Sequence, residues 1–187
     1  MIKSIKLSMF IILSLLVMST VACSSQNSTV NKESTPSTED SVKKETVNFG
    51  SKGAKEDQAL TLEKMLTYAI QDEYLAHAEY DYILKNFGDQ RPFSNIIKAE
   101  EKHIELLKPL FEKYNVSLPD NTANNYVVHP KSIEEALKTG VQSEIDNIAM
   151  YESFLKEKLP EDIKSVFVEL RDASKNHLSA FENSLKK

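Results

Sequence analysis

The chain has 187 residues, 41% of them hydrophobic and 27% charged, with a formal net charge of −5. That balance suits one soluble globular domain, and the interspersed charges offer no polyanion-binding surface. The single cysteine, Cys23, excludes an internal disulfide framework and a cysteine-based zinc site. The sequence holds no P-loop, dinucleotide-binding glycine turn, nucleophile elbow or nucleic-acid motif, so no nucleic-acid partner is expected.

Residues 1–22 begin "MIKSIK" and continue "LSMFIILSLLVMSTVA". A basic start, a short apolar run and a small residue before the cut read as a signal peptide. The tail "TVAC" resembles a bacterial lipobox, with Thr20 where leucine is commoner, and makes Cys23 the lipid attachment point. The protein is then expected in the cell envelope, outside the cytoplasm, anchored to the membrane by lipid. Each buried methylene of such a lipid adds ~0.8 kcal/mol. An ordinary cleaved signal or an uncleaved anchor are the rival readings. Residues 23–57 are Ser, Thr, Lys and Glu with almost nothing to bury, and read as a disordered tether. The folded domain is expected at 58–187.

The first helix is expected from Thr61, as N-cap, to Phe87, stopped by Gly88. The second starts at Pro92 and runs to about Tyr114. "SIEE" opens the third, with Ser132 and Glu135 in a capping-box pattern, and it ends before Pro160. The fourth spans about Glu161 to Leu185. Short loops within the first and last pairs make two antiparallel hairpins. Between the pairs lies "NVSLPDNTANNYVVHPK", which extended reaches ~50 Å. A helix of about 25 residues is ~37 Å long, so this link can cross the whole bundle. The expected fold is all-α: an antiparallel four-helix bundle of ferritin-like topology, two helical hairpins joined by one long crossover.

The hairpins echo each other. "AIQDEYLAHAEYDYILK" aligns with "GVQSEIDNIAMYESFLK", matching Glu73 to Glu144 and Tyr80 to Tyr151. "KAEEKHIELL" aligns with "DASKNHLSAF", matching His103 to His177 and Glu100 to Ser174. Three- and four-residue steps put Glu73, Glu100, His103, Glu144 and His177 on otherwise apolar seams, near mid-helix. A buried, uncompensated ion costs several kcal/mol, against about 5–15 kcal/mol for a whole domain. No lysine or arginine falls on the seams at that level, and two histidines do not balance three carboxylates. A divalent metal would, and mixed oxygen and imidazole ligands suit iron, manganese or zinc.

These features resemble the ferritin-like di-iron carboxylate proteins, rubrerythrin included. More narrowly, the first hairpin is similar to a ferritin-like family catalogued as a domain of unknown function. The resemblance implies Glu73 and Glu144 as terminal carboxylates, Glu100 as a bridge, and His103 and His177 as terminal imidazoles. Ser174 stands where the second bridging glutamate belongs, which leaves one metal or two open. Tyr80, Tyr151 and His77 are candidates beside the ligands, although packing explains the tyrosines, and a half-exposed flank explains His77, better than a role at the metal. Asp72, Glu79, Glu101 and Glu152 read as solvated. The resemblance further implies iron, one or two ions, with ferroxidase or peroxide-reducing chemistry. No Cys-x-x-Cys relay is present, so the reductant must come from outside. A homodimer is an open expectation. The rival function is a non-catalytic metal- or partner-binding envelope protein with a degenerate site.

Overall fold

A computed structural model describes residues 48–187, which fall within one compact unit. The signal peptide, Cys23 and most of the expected tether lie outside the described residues. Five helices follow in order: α1 (Gly50–Glu56), α2 (Leu62–Phe87), α3 (Phe93–Lys113), α4 (Ile133–Phe154) and α5 (Glu161–Leu185). One 3-10 turn, Ala123–Asn125, interrupts the crossover between α3 and α4. No strand occurs among the described residues.

The helix ends follow local chemistry. Thr61 accepts the Lys64 amide at 3.3 Å on its hydroxyl, and Gly88 (φ 81°) leaves α2 in a conformation that suits glycine. Ser132 accepts the Glu135 amide at 3.1 Å, while the Glu135 carboxylate reaches back to the Lys131 amide at 2.7 Å. The serine half of the cap forms where the sequence pattern implies, and the carboxylate half closes one residue earlier, on Lys131 rather than Ser132. Pro109 lies inside α3 without ending it.

α2 pairs with α3 and α4 with α5, as the short loops require. The hairpins then face each other, α2 against α4 and α3 against α5. Glu73 of α2 meets Tyr151 of α4, while the later Tyr80 meets the earlier Glu144, so these two helices run antiparallel. The apolar core is split in two. One cluster holds Leu66, Leu107, Phe154, Phe167 and Leu170, and the other holds Ile83, Phe93, Leu137 and Phe181. A polar layer separates them.

The tether boundary expected at residue 57 requires correction. Phe49 is buried and stacks on Tyr126 of the crossover, with ring centroids 4.2 Å apart. The backbone amide of Gly50 donates to Gln71 at 3.2 Å and that of Ser51 to Asp72 at 2.7 Å. Gly50 (φ 56°) and Gly53 permit this approach: a Cβ at Gly50 would collide with the Asp72 carboxylate, and one at Gly53 would lie 2.7 Å from the Tyr68 ring. Burying one phenylalanine contributes roughly 1.5–3 kcal/mol, enough to dock a seven-residue helix that would not form alone.

Candidate metal centre

Glu73, Glu100, His103, Glu144 and His177 all come from mid-helix positions and all are buried. They form two overlapping groups, Glu73–Glu100–His103 and Glu100–Glu144–His177. In each, one ligand-type atom per residue lies within 4.8 Å of the others. Glu100 is shared. Its Oε2 lies 2.8 Å from His103 Nδ1, and its Oε1 lies 3.2 Å from His177 Nδ1. His103 Nδ1 also lies 3.0 Å from Glu73 Oε2, and His177 Nδ1 3.4 Å from Glu144 Oε1. The imidazoles stack at 5.7 Å, tilted by 23°.

The two halves are supported alike. Tyr151 donates its hydroxyl to Glu73 at 2.7 Å, and Tyr80 donates to Glu144 at 2.9 Å. Each tyrosine thus orients a buried carboxylate of the opposite hairpin. Both tyrosines are also packed in aromatic clusters, so packing and orientation coexist.

Ser174 breaks the symmetry. It donates to Asn147 Oδ1 at 2.7 Å and to the Leu170 carbonyl at 3.0 Å. Asn147 in turn donates to Asp72 at 2.8 Å and more distantly to Glu73 at 3.5 Å. A neutral chain, Ser174–Asn147, occupies the position that matches Glu100 in the echo and ends on Asp72. His77 is not brought into the layer; it is partly exposed and lies 3.4 Å from Glu101.

Two sequence expectations fail here. Asp72 and Glu79 are buried rather than solvated, at 7% and 4% exposure. Their face of α2 is covered by α1, which places the Ser51 amide on Asp72, and by the crossover, whose Val128 amide reaches Glu79 at 3.3 Å. Glu101 and Glu152 are exposed, as expected. Asn147 escaped notice because its counterpart in the echo, Ala76, carries no polar group. The seven-residue spacing of Met65, Asp72 and Glu79, all buried, was the available sign of a second covered stripe.

Electrostatics separates the carboxylates. Burial pushes Glu73 up to about 7, partly opposed by the His103 hydrogen bond. Burial also acts to raise Glu100, but the hydrogen bond from His103 and the close approach of the His177 imidazole outweigh it and hold it at about 2. Glu144 is raised, chiefly by burial. Burial disfavours the charged histidines, yet the facing carboxylates prevail and lift His103 to about 10 and His177 to about 9. Without metal, protons on the imidazoles and on Glu73 can neutralise the layer, so charge balance alone does not demand a cation.

Geometry supplies the stronger test. His177 Nδ1 is buried and has no hydrogen-bond partner. It approaches two carboxylates closely but is not aligned to donate to either. An orphaned imidazole nitrogen between carboxylates suits a metal ligand better than a proton-bridged pair. Three carboxylates and two imidazoles form a donor set that fits iron, manganese or zinc.

The sequence profile of the Rubrerythrin family matches residues 64–185. The chain belongs to the rubrerythrin family. An uncharacterised protein of Methanocaldococcus jannaschii, MJ0754, is 32% identical over 132 residues, spanning 62% of this chain and 70% of its own length. A crystal structure of hypothetical protein MJ0754 matches with a TM-score of 0.60 at 28% identity, covering 70% of this chain and 83% of that one. This rubrerythrin-family chain therefore shares an all-helical fold with its relatives and carries carboxylate and histidine groups at the layer where the hairpins meet.

Proposed function

We propose that the chain is a metal-binding member of the rubrerythrin family that holds one or two iron ions in the polar layer. The observation that carries this reading is the pair of three-residue groups sharing Glu100, with the unpartnered Nδ1 of His177 in one of them. His103 and Glu73 would bind on one side, His177 and Glu144 on the other, and Glu100 would serve both. Bound as a ferrous pair, iron would supply two electrons to dioxygen or peroxide, and an electron carrier outside the chain would restore them. The protein's own contribution is positional. Tyr151 and Tyr80 fix the terminal carboxylates, and the apolar clusters close the layer above and below.

The experiment is to load the protein with ferrous iron, add peroxide anaerobically, and follow visible absorption and peroxide consumed. Oxidation of bound iron with matching peroxide loss supports redox function. Iron that binds but never reacts supports the second reading, a storage or sensing protein without turnover. Ser174 favours that reading, because a hydroxyl supplies no charge where a second bridging carboxylate would stand. Anchoring in the envelope through a lipidated Cys23 belongs to the same proposal. Cys23→Ala should then move the protein from the membrane fraction to the soluble fraction.

A further inference from the structure

A cavity of about 400 Å³ lies between α1, α2, α4 and the crossover. Exposed Lys52, Glu135 and Lys138 line it, and so do buried Glu73, Glu100 and Glu144. It therefore runs from solvent to three carboxylates of the candidate centre. Phe49 and Tyr126, stacked on each other, form part of its wall. One ordered water needs only ~10–15 Å³ of such space, so a hydrated ion fits with room to spare.

Its lining is acidic: seven aspartates and glutamates against two lysines. Two of the acids, Asp72 and Glu79, are buried in the wall and belong to neither candidate metal group. Asp72 has both oxygens engaged, by Ser51 and Asn147. Glu79 has a single backbone donor, the Val128 amide at 3.3 Å, on Oε1. Ser143 and Lys52 also favour its charged form, yet a buried carboxylate in a cavity wall remains costly for stability alone. A low-dielectric cleft lined by one sign of charge concentrates the opposite ion and speeds its arrival.

We infer that this cavity is the path by which a divalent cation reaches the four-helix centre, with Glu79 and Asp72 as carboxylates it passes. The inference rests on the metal-binding reading above. Carboxylate oxygens along the wall take the place of hydration water as the ion moves inward, so its desolvation is spread over the length of the cavity. Lys52, at the exposed end, opposes the flow.

Cobalt(II) is the probe, because its visible absorption reports coordination without redox chemistry. The full-length metal-free protein is mixed with cobalt(II) in a stopped-flow instrument, and release is followed with a chelator. Ala76 lines the cavity one turn from Glu73, and Ala76→Phe should narrow it. Uptake and release should then slow together, with affinity unchanged. Glu79→Gln, nearly the same size, should slow uptake severalfold, and Lys52→Glu should speed it and steepen its salt dependence. Parent-like uptake rates in both Ala76→Phe and Glu79→Gln would overturn the path. So would weakened affinity with an unchanged association rate, which marks a structural role. If only Ala76→Phe misfolds, Glu79→Gln and Lys52→Glu decide between them, because the path requires opposite changes. A parent protein that takes up no cobalt overturns both this inference and the metal-binding reading. One that binds cobalt at rates indifferent to the variants overturns the path alone.

Discussion

Ser174 shows how one residue redirects a site. Its hydroxyl, Asn147 and Asp72 form a hydrogen-bonded chain where the echo of the first hairpin calls for a carboxylate. Ser174→Glu should therefore have opposite effects in the two forms of the protein. Metal-free, it buries a fourth carboxyl among three and breaks the Asn147 contact, and should cost several kcal/mol. With metal present it completes the bridge, and the added metal should recover most of the loss in a thermal melt. The tyrosines offer a matched pair. Tyr151→Phe and Tyr80→Phe each remove one donor from a buried carboxylate, and each should lower unfolding free energy by about 1–3 kcal/mol in urea titrations. The convergence of Glu73, Glu100, His103, Glu144 and His177 was legible because each interrupts an apolar stripe at a fixed helical spacing. Asn147 was not, since an amide in a helix raises no such conflict. The burial of Asp72 and Glu79 left only the faint sign of their seven-residue spacing with Met65, since what covers them lies in other elements.

At the scale of elements, capping residues announced α2 and α4, Pro92 and Pro160 marked the starts of α3 and α5, and the short and long links announced their pairing. α1 left no such trace. Its sequence, GSKGAKE, has two glycines and no apolar stripe, so local propensity opposes it. It forms because Phe49 anchors its start and because its glycines let the backbone close on α2. Gly50→Ala should undock it, since the left-handed backbone costs roughly 1–2 kcal/mol and the new methyl meets Asp72. Hydrogen exchange should show the α1 amides exposed while α2–α5 remain protected. The far end of α1 has its own pH sensor. Hydrogen bonds from Lys64, the Ala59 amide and Tyr68 hold Asp57 at about 2, below its ordinary 3.8. A depressed carboxylate stabilises above its unfolded value and loses that contribution as pH falls through the folded one. Docking of α1 should therefore loosen between about pH 4 and pH 2, and Asp57→Asn should remove the dependence. Protease susceptibility near residue 57 reads this directly.

Across the whole molecule, two apolar clusters enclose a charged layer, and its protons set the pH response. Without metal, His103 at about 10 and His177 at about 9 sit above the ordinary histidine value of 6.5. Their stabilising contribution is complete below pH 6.5 and disappears as pH rises through 9–10. Glu73, lifted to about 7, acts in the same direction. The metal-free protein should thus lose stability on the order of a few kcal/mol from neutral to alkaline pH. Metal replaces those protons, so the loaded protein should melt at a nearly constant temperature over that range, and loading at pH 7 should release protons to the solvent.

The metal-binding reading depends on the layer holding a cation. The most direct measurement is elemental analysis of the purified protein beside Glu100→Ala and His103→Ala, each checked for native helix content. Glu100 belongs to both groups and His103 to one. The parent should carry one or two metal ions per chain, Glu100→Ala almost none, and His103→Ala at most half the parent's content. Equal metal content in all three proteins would contradict the account.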